Sequence, residues 1–384
     1  MDSNNNDIDD IVQIVITTPS VTSLKLSRKE YQDKIRGMLT GHALGDALGH
    51  PHEFHCQTDK YTGKLEYRAK HTSRFQGTKY AAIGQCTDDT DMTMALCHSL
   101  INEKGYNREK VILAYEGWAN QCKTGMGNNT RLLLKGVKTV KGYEGRYQKA
   151  LQGKLPGMKA SALSEIKSNG SLMRCCPLAV LMCKDNHNDG DVNPFDVVYI
   201  DTKITNPNDV NMECNILYYL VLNCLLEGKT PMEALMASVD FTFGAEPGVP
   251  VILEAYEQLN NSSEDVKPRD ITENKGYVVH SFYCAMWALD QLSKNPDIKY
   301  CTLIDQIINW GGDTDTNAAI AGAIIGLHHG YEKLMCEDIT KENIEIMMNA
   351  DLSTSECAGS NWKKYHPDNI PMISEKLTEL FYTE

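Results

Sequence analysis

Trp310-Gly311-Gly312-Asp313-Thr314-Asp315-Thr316-Asn317-Ala318-Ala319-Ile320-Ala321-Gly322-Ala323-Ile324-Ile325-Gly326 is the stretch that decides the fold of this chain. Two glycines suit a tight turn, because glycine adopts positive φ without penalty. Two carboxylates one residue apart follow, and then a run of Ala, Gly and Ile. Thr314 or Asp315 is the expected N-cap of a helix that starts there. The small-residue face from Ala318 to Gly326 lets other backbones come close, so the helix is read as buried. Asp313 and Asp315 then sit at its mouth, near the core. A buried carboxylate is costly unless it meets a cation or hydrogen-bond donors.

A second stretch has the same character. Gly84-Gln85-Cys86-Thr87-Asp88-Asp89-Thr90-Asp91 opens another apolar helix. Thr87, Asp88, Asp89, Asp313, Asp315 and Thr316 together make an oxygen-only donor set. Such sets suit hard divalent cations such as Mg²⁺, whereas soft metals take Cys or His. Either turn alone reads equally well as an acidic cap favoured by the helix dipole. Both together carry more carboxylates than capping needs, and that favours metal.

The rest of the 384 residues reads outward from these turns. Ser27 and Glu30 form a capping box, ahead of a small-residue helix that includes Gly37–Gly49; Glu53 follows directly. His55–Gln85 reads as an irregular surface loop near the site. Helices are expected at Asp91–Asn102, Arg108–Lys123 and Leu132–Val140, and a polar linker at Gly142–Ser164. Ser168–Leu178 reads as a turn leading into a buried helix that carries Arg174 inward, toward a structural salt bridge. A capped turn at Thr205–Asp209 precedes a helix to Leu226. Further helices begin near Pro231, after Gly276–His280, and at Cys301. The chain after Tyr331 is charged and loosely helical. Alternating strand patterns are scarce. The expected class is all-α: a compact orthogonal bundle of many helices around a two-metal cleft, spanning 28–384. Residues 1–27 form a disordered or loosely docked tail, with a short apolar patch at Ile11–Ile16.

Composition narrows the function. A net charge of −13 argues against non-specific nucleic-acid binding. Thirteen cysteines without CxxC pairs read as reduced thiols packed as small hydrophobes, not a disulfide framework. No apolar run reaches the ~20 residues of a membrane span, and the polar, acidic start is unlike a signal peptide. The expected location is intracellular, in the cytoplasm.

These motifs resemble the ADP-ribosylglycohydrolase family. The resemblance is carried by Gly45-Asp46-Ala47-Leu48-Gly49 with Glu53, Thr87-Asp88-Asp89-Thr90, Ser168-Asn169-Gly170-Ser171 with Met173-Arg174, Thr205-Asn206-Pro207, and Trp310 to Thr316. It spans about residues 30 to 335 and implies an all-α enzyme that binds two Mg²⁺ ions. Its implied reaction cleaves the N- or O-glycosidic bond between ADP-ribose and an acceptor. By resemblance, Thr87, Asp88 and Asp89 hold the metals from one side, and Asp313, Asp315 and Thr316 from the other. Glu53 lies near the metals and the scissile ribose. Ser168, Asn169, Gly170, Ser171, Leu172 and Met173 line the diphosphate and distal ribose, and Tyr277 and Val278 border the adenosine. The general base is an Asp of either turn (Asp88, Asp89, Asp313, Asp315) or Glu53. Many members have Thr-His where this chain has Thr205-Asn206, so Asn206 is the expected substrate contact that differs, or else a helix cap. The implied partner is an ADP-ribosylated protein or another ADP-ribose conjugate. Nothing singles out a nucleic-acid acceptor. Two rivals fit the same donors: an ADP-ribose-binding module without turnover, and a two-metal phosphohydrolase of a nucleotide diphosphate.

Overall fold

The computed structural model describes residues 26–53, 63–65, 71–73, 77–79, 81–123, 125–158, 162–183, 193–244, 250–260 and 270–382. The tail expectations at 1–25, including Ile11–Ile16, lie outside the described residues. Two helices cross at the centre: α1 (Arg28–Gly49) and α12 (Thr314–Leu334). Glycines let them touch backbone to backbone. A Cβ added to Gly41 would lie 2.2 Å from the carbonyl oxygen of Gly322, and one added to Gly45 would lie 2.2 Å from that of Ala318. Gly37 meets Gly326, and Gly49 meets Thr314 and Asp315. The pairing runs antiparallel, so the C-terminal end of α1 arrives at the N-terminal end of α12. Tyr300 completes the seam, its hydroxyl donating to the Gly41 carbonyl at 2.5 Å.

Other helices wrap this pair. In chain order they are α2 (Asp88–Glu103), α3 (Arg108–Ala119), α4 (Asn128–Leu134), α5 (Val140–Leu151), α6 (Pro194–Lys203), α7 (Asp209–Leu226), α8 (Pro231–Gly244), α9 (Pro250–Asn260), α10 (Val278–Lys294) and α11 (Tyr300–Trp310), and beyond α12 come α13 (Asp338–Met348), α14 (Trp362–Tyr365) and α15 (Ile370–Phe381). α12 packs against α10, α11 and α7, and α1 against α15. The all-α class is observed. Among the described residues, β-structure is limited to an antiparallel hairpin of His71–Ser73 with Gly77–Lys79 and one bridge between Ser168 and Tyr277. The described cysteines are free thiols, and no described helix is long and apolar enough to cross a membrane.

Several local expectations hold and several are corrected. Ser27 and Glu30 form the capping box. Gly311 and Gly312 take φ of +81° and +83°, but the N-cap of α12 is Asp313, with Thr314 and Asp315 inside the first turn. The first acidic helix begins at Asp88, not Asp91. The expected linker at Gly142–Ser164 holds most of α5, whose Tyr143, Tyr147 and Ala150 are buried at helical spacing among Lys, Gly, Glu and Arg. The helix expected at Leu132–Val140 is the shorter α4, which ends at Leu134. Ser168–Leu178 forms 3₁₀ turns, Asn169–Arg174 and then Cys176–Cys183, in place of an α-helix. In the excursion before Gln85, Leu65 is buried and its N–H donates to Asn343 of α13 at 3.1 Å, so that point is pinned to the body.

Candidate active site

Three chain segments converge where α1 ends and α12 begins. Asp46 is buried in the last turns of α1. It accepts the backbone N–H of Thr87 at 2.9 Å and of Thr90 at 3.1 Å, and the Thr90 hydroxyl at 2.6 Å. The Thr87 hydroxyl lies 2.8 Å from Asp46 and 3.0 Å from Asp89. Asp46 therefore docks the start of α2 onto α1. Glu53 follows the short 3₁₀ turn His50–His52 and is partly exposed.

Carboxylate oxygens of Asp46, Asp89 and Asp315 lie within 4.8 Å of one another, and so do those of Glu53, Asp313 and Asp315. Asp315 belongs to both groups. Burial pushes the carboxyls of Asp89 and Asp315 well above the ordinary carboxylate range, and neighbouring negative charges, Asp46 for Asp89 and Glu53 for Asp315, push the same way. Asp46 and Asp313 are raised by burial too, against hydrogen bonds from Thr90 and from Asn169. Oδ1 of Asp89 is buried without a hydrogen-bond partner. Crowded carboxylates, an orphaned acceptor oxygen and the absence of sulfur or nitrogen from both groups fit a hard cation.

The residues around the cluster sort by what they touch. Thr316 donates its backbone N–H to Asp315 at 2.9 Å, and its side chain bonds Asp89 and Asp313. Asp88 belongs to neither close group. It is partly exposed at the edge of the cluster, and its carboxyl is pushed up by burial and by the charges of Asp89 and Glu53. Asn169 donates to Asp313 at 2.9 Å and to Ser281 at 3.0 Å, tying the 3₁₀ turn to the cluster. Ser168 and Tyr277 pair as a bridge, and both are partly exposed.

The remaining predicted substrate residues divide. Gly170 is partly exposed, but Ser171, Leu172, Met173 and Val278 are buried. Ser171 accepts from Asn211 and Asn215, so these side chains build the turn's support. Asn206 is fully buried as well. Its amide donates to the Ser168 carbonyl and hydroxyl, both at 3.0 Å, and accepts from Thr205 at 2.7 Å. The helix cap is Asn208, which accepts from the N–H of Asn211. The cap is thus Asn208, and the Asn206 side chain is turned into the protein. Arg174 makes the expected salt bridge: Nε reaches Asp201 at 3.2 Å, and Nη1 donates to the Gly170 carbonyl at 3.0 Å. Asp46 is a site residue that sequence reasoning does not assign. The available signal was a lone carboxylate inside a small-residue helix.

Comparison with known proteins decides the family. The family model described as ADP-ribosylglycohydrolase matches residues 27–344. The chain belongs to the ADP-ribosylglycohydrolase family. It is similar to the ADP-ribosylarginine hydrolase Tri1 of Pseudomonas putida (strain GB-1), at 24% identity over 324 residues, 82% of this chain and 76% of that one. It is also similar to the ADP-ribosyl-[dinitrogen reductase] glycohydrolase of Rhodospirillum rubrum, at 22% identity over 317 residues, 82% and 92% of the two chains. A solved structure titled ADP-ribosylglycohydrolase-related protein complex shares the fold with a TM-score of 0.59 and 21% identity, over 92% of this chain and 99% of that one. This member of the ADP-ribosylglycohydrolase family is a glycosidic-bond hydrolase.

Proposed function

We propose that the enzyme is a Mg²⁺-dependent hydrolase that releases ADP-ribose from an ADP-ribosylated protein or other conjugate, with two cations held at the cluster. The observation that carries this reading is Asp315, whose carboxylate is common to both close groups. One group supplies Asp46, Asp89 and Asp315, the other Glu53, Asp313 and Asp315, and Thr87 and Thr316 set their geometry through hydrogen bonds. When bound there, the cations supply Lewis acidity toward ribose hydroxyls and a water. The chain's own residues position the rest. Asn169 fixes the rotamer of Asp313, and Ser168, Asn169, Gly170 and Tyr277 offer the side on which ADP-ribose binds. Glu53, partly exposed at the edge of the second group, takes a proton from the attacking water as the bond from the anomeric carbon to the acceptor breaks, and that proton goes to the departing acceptor atom. Cleavage at the anomeric carbon develops oxocarbenium character, and the surrounding carboxylates favour that positive charge. The first acceptor to test is arginine, the one that the name of the Pseudomonas relative carries.

Product analysis on an ADP-ribosylated arginine peptide, with Mg²⁺ and with chelator, tests the reading. Free ADP-ribose that appears only with Mg²⁺ is the expected outcome. AMP with a peptide that still carries ribose phosphate would replace this reading with a phosphohydrolase, and binding of the conjugate without any product would leave a binding module.

A further inference from the structure

The family match ends at residue 344, yet the chain beyond it returns to the cluster. An open cavity adjoins the cluster, bordered by Glu53, Asp88 and Asp315 and walled by Leu352, Cys357 and Trp362. It lies apart from the turn at Ser168 and from Tyr277, neither of which lines it. The wall is fastened in place. The Ser355 hydroxyl donates to the Gln85 side chain at 2.5 Å, two residues before Thr87. The N–H of Cys357 donates to Ser355 at 3.2 Å. Gly359 lies so close to Gln121 that an added Cβ would be 3.0 Å from its carbonyl oxygen. α14 then packs on α2, and Trp362, its first residue, is partly exposed with its ring 5.2 Å from His366, edge to face.

We propose that this C-terminal segment forms the acceptor subsite and that Trp362 is its specificity-determining residue for a planar cationic acceptor, a guanidinium. The inference rests on the reading above, with ADP-ribose on the side of Ser168 and Tyr277. The bond to be cleaved sits at the cluster, so the acceptor extends the other way, into the cavity. Lys363, on the same short helix, already holds its ammonium 5.7 Å from the centre of the Trp362 ring, so this indole face receives a cation. An indole face attracts a guanidinium, and selects against a neutral serine linkage that gains nothing from it.

The test compares full-length wild type with Trp362→Ala, Trp362→Leu and Trp362→Phe. Each is assayed for KM and kcat on ADP-ribosylated arginine and serine peptides, with ADP-ribose affinity and thermal melting measured in parallel. Trp362→Ala and Trp362→Leu are expected to raise KM for the arginine peptide about three- to tenfold. ADP-ribose affinity stays within about twofold, and Trp362→Phe recovers most of the loss. The leucine variant keeps apolar bulk, so it carries the test if the alanine variant does not fold. Unchanged KM in folded Ala or Leu variants overturns the subsite. So does a loss of ADP-ribose affinity equal to the rise in KM, or equal losses on the two peptides. Turnover of the serine peptide alone by wild type overturns the guanidinium assignment. Release of ADP-ribose from neither peptide overturns the proposed function itself.

Discussion

Asn206 supports the turn at Ser168 from inside the protein. Its amide is shared between Ser168 and Thr205 inside the protein, so this side chain sets the support of the turn. Asn206→Ala removes two hydrogen bonds that Ser168 accepts. Loss of a buried hydrogen-bonding partner costs about 1–3 kcal/mol. The variant is expected to melt earlier and also to bind ADP-ribose more weakly, by about three- to tenfold, as measured by thermal melting and calorimetry. Asn208→Ala is the contrast: loss of a cap costs about 1 kcal/mol, with ADP-ribose affinity unchanged. Equal effects of the two on affinity would contradict this division. At this scale the sequence was informative where chemistry is local. Asp89, Asp313 and Asp315 stood out because carboxylates beside apolar helices require a partner. Asp46 did not, because its role depends on Thr87 and Thr90, some forty residues away.

The α1–α12 crossing carries the site, and its tolerance of side chains is set by backbone contact. Gly41→Ala places a methyl 2.2 Å from the Gly322 carbonyl oxygen, with backbone rather than a flexible side chain in the way. The helices must move apart, at a cost of about 1–3 kcal/mol or more. Because the same crossing aligns Asp46 with Asp315, glycohydrolase activity is expected to fall with stability. Gly145→Ala in α5 meets nothing within 4 Å and removes a flexible residue from an exposed helix, so it is expected to stabilise by about 0.5–1 kcal/mol. Denaturant titration of both variants checks the pair; destabilisation by Gly145→Ala or neutrality of Gly41→Ala would contradict it. Both central helices were legible because a long small-residue run has few uses other than close packing. α5 was missed because its three buried positions lie among charged residues and glycines. The 3₁₀ character of Asn169–Arg174 depends on Arg174 reaching Gly170 and Asp201, contacts that spacing alone does not reveal.

Across the whole molecule, burial of like charges couples stability to pH and metal. Asp46, Asp88, Asp89, Asp313 and Asp315 are raised above the ordinary carboxylate range, chiefly by burial, and burial takes Asp91 to about 8. Unfolded carboxyls titrate near ~4. From there upward the folded protein holds more protons than the unfolded chain, so in chelator its stability falls as pH rises. Cations bind the deprotonated groups and stabilise only the folded state. The Mg²⁺-minus-chelator difference in Tm is therefore expected to widen from pH 5 to pH 8, and a constant or narrowing difference would contradict the account. The C-terminal segment shows where a linear reading stops: a charged, loosely helical stretch in the sequence becomes a wall of the cleft through Ser355 and Gln85. Mg²⁺ titration calorimetry on wild type and Asp315→Ala addresses the central claim most directly. The account predicts two ions bound by wild type, and loss of both or a large weakening in the variant, because Asp315 serves both groups. Absence of Mg²⁺ binding in wild type, or an unchanged isotherm in Asp315→Ala, would contradict it.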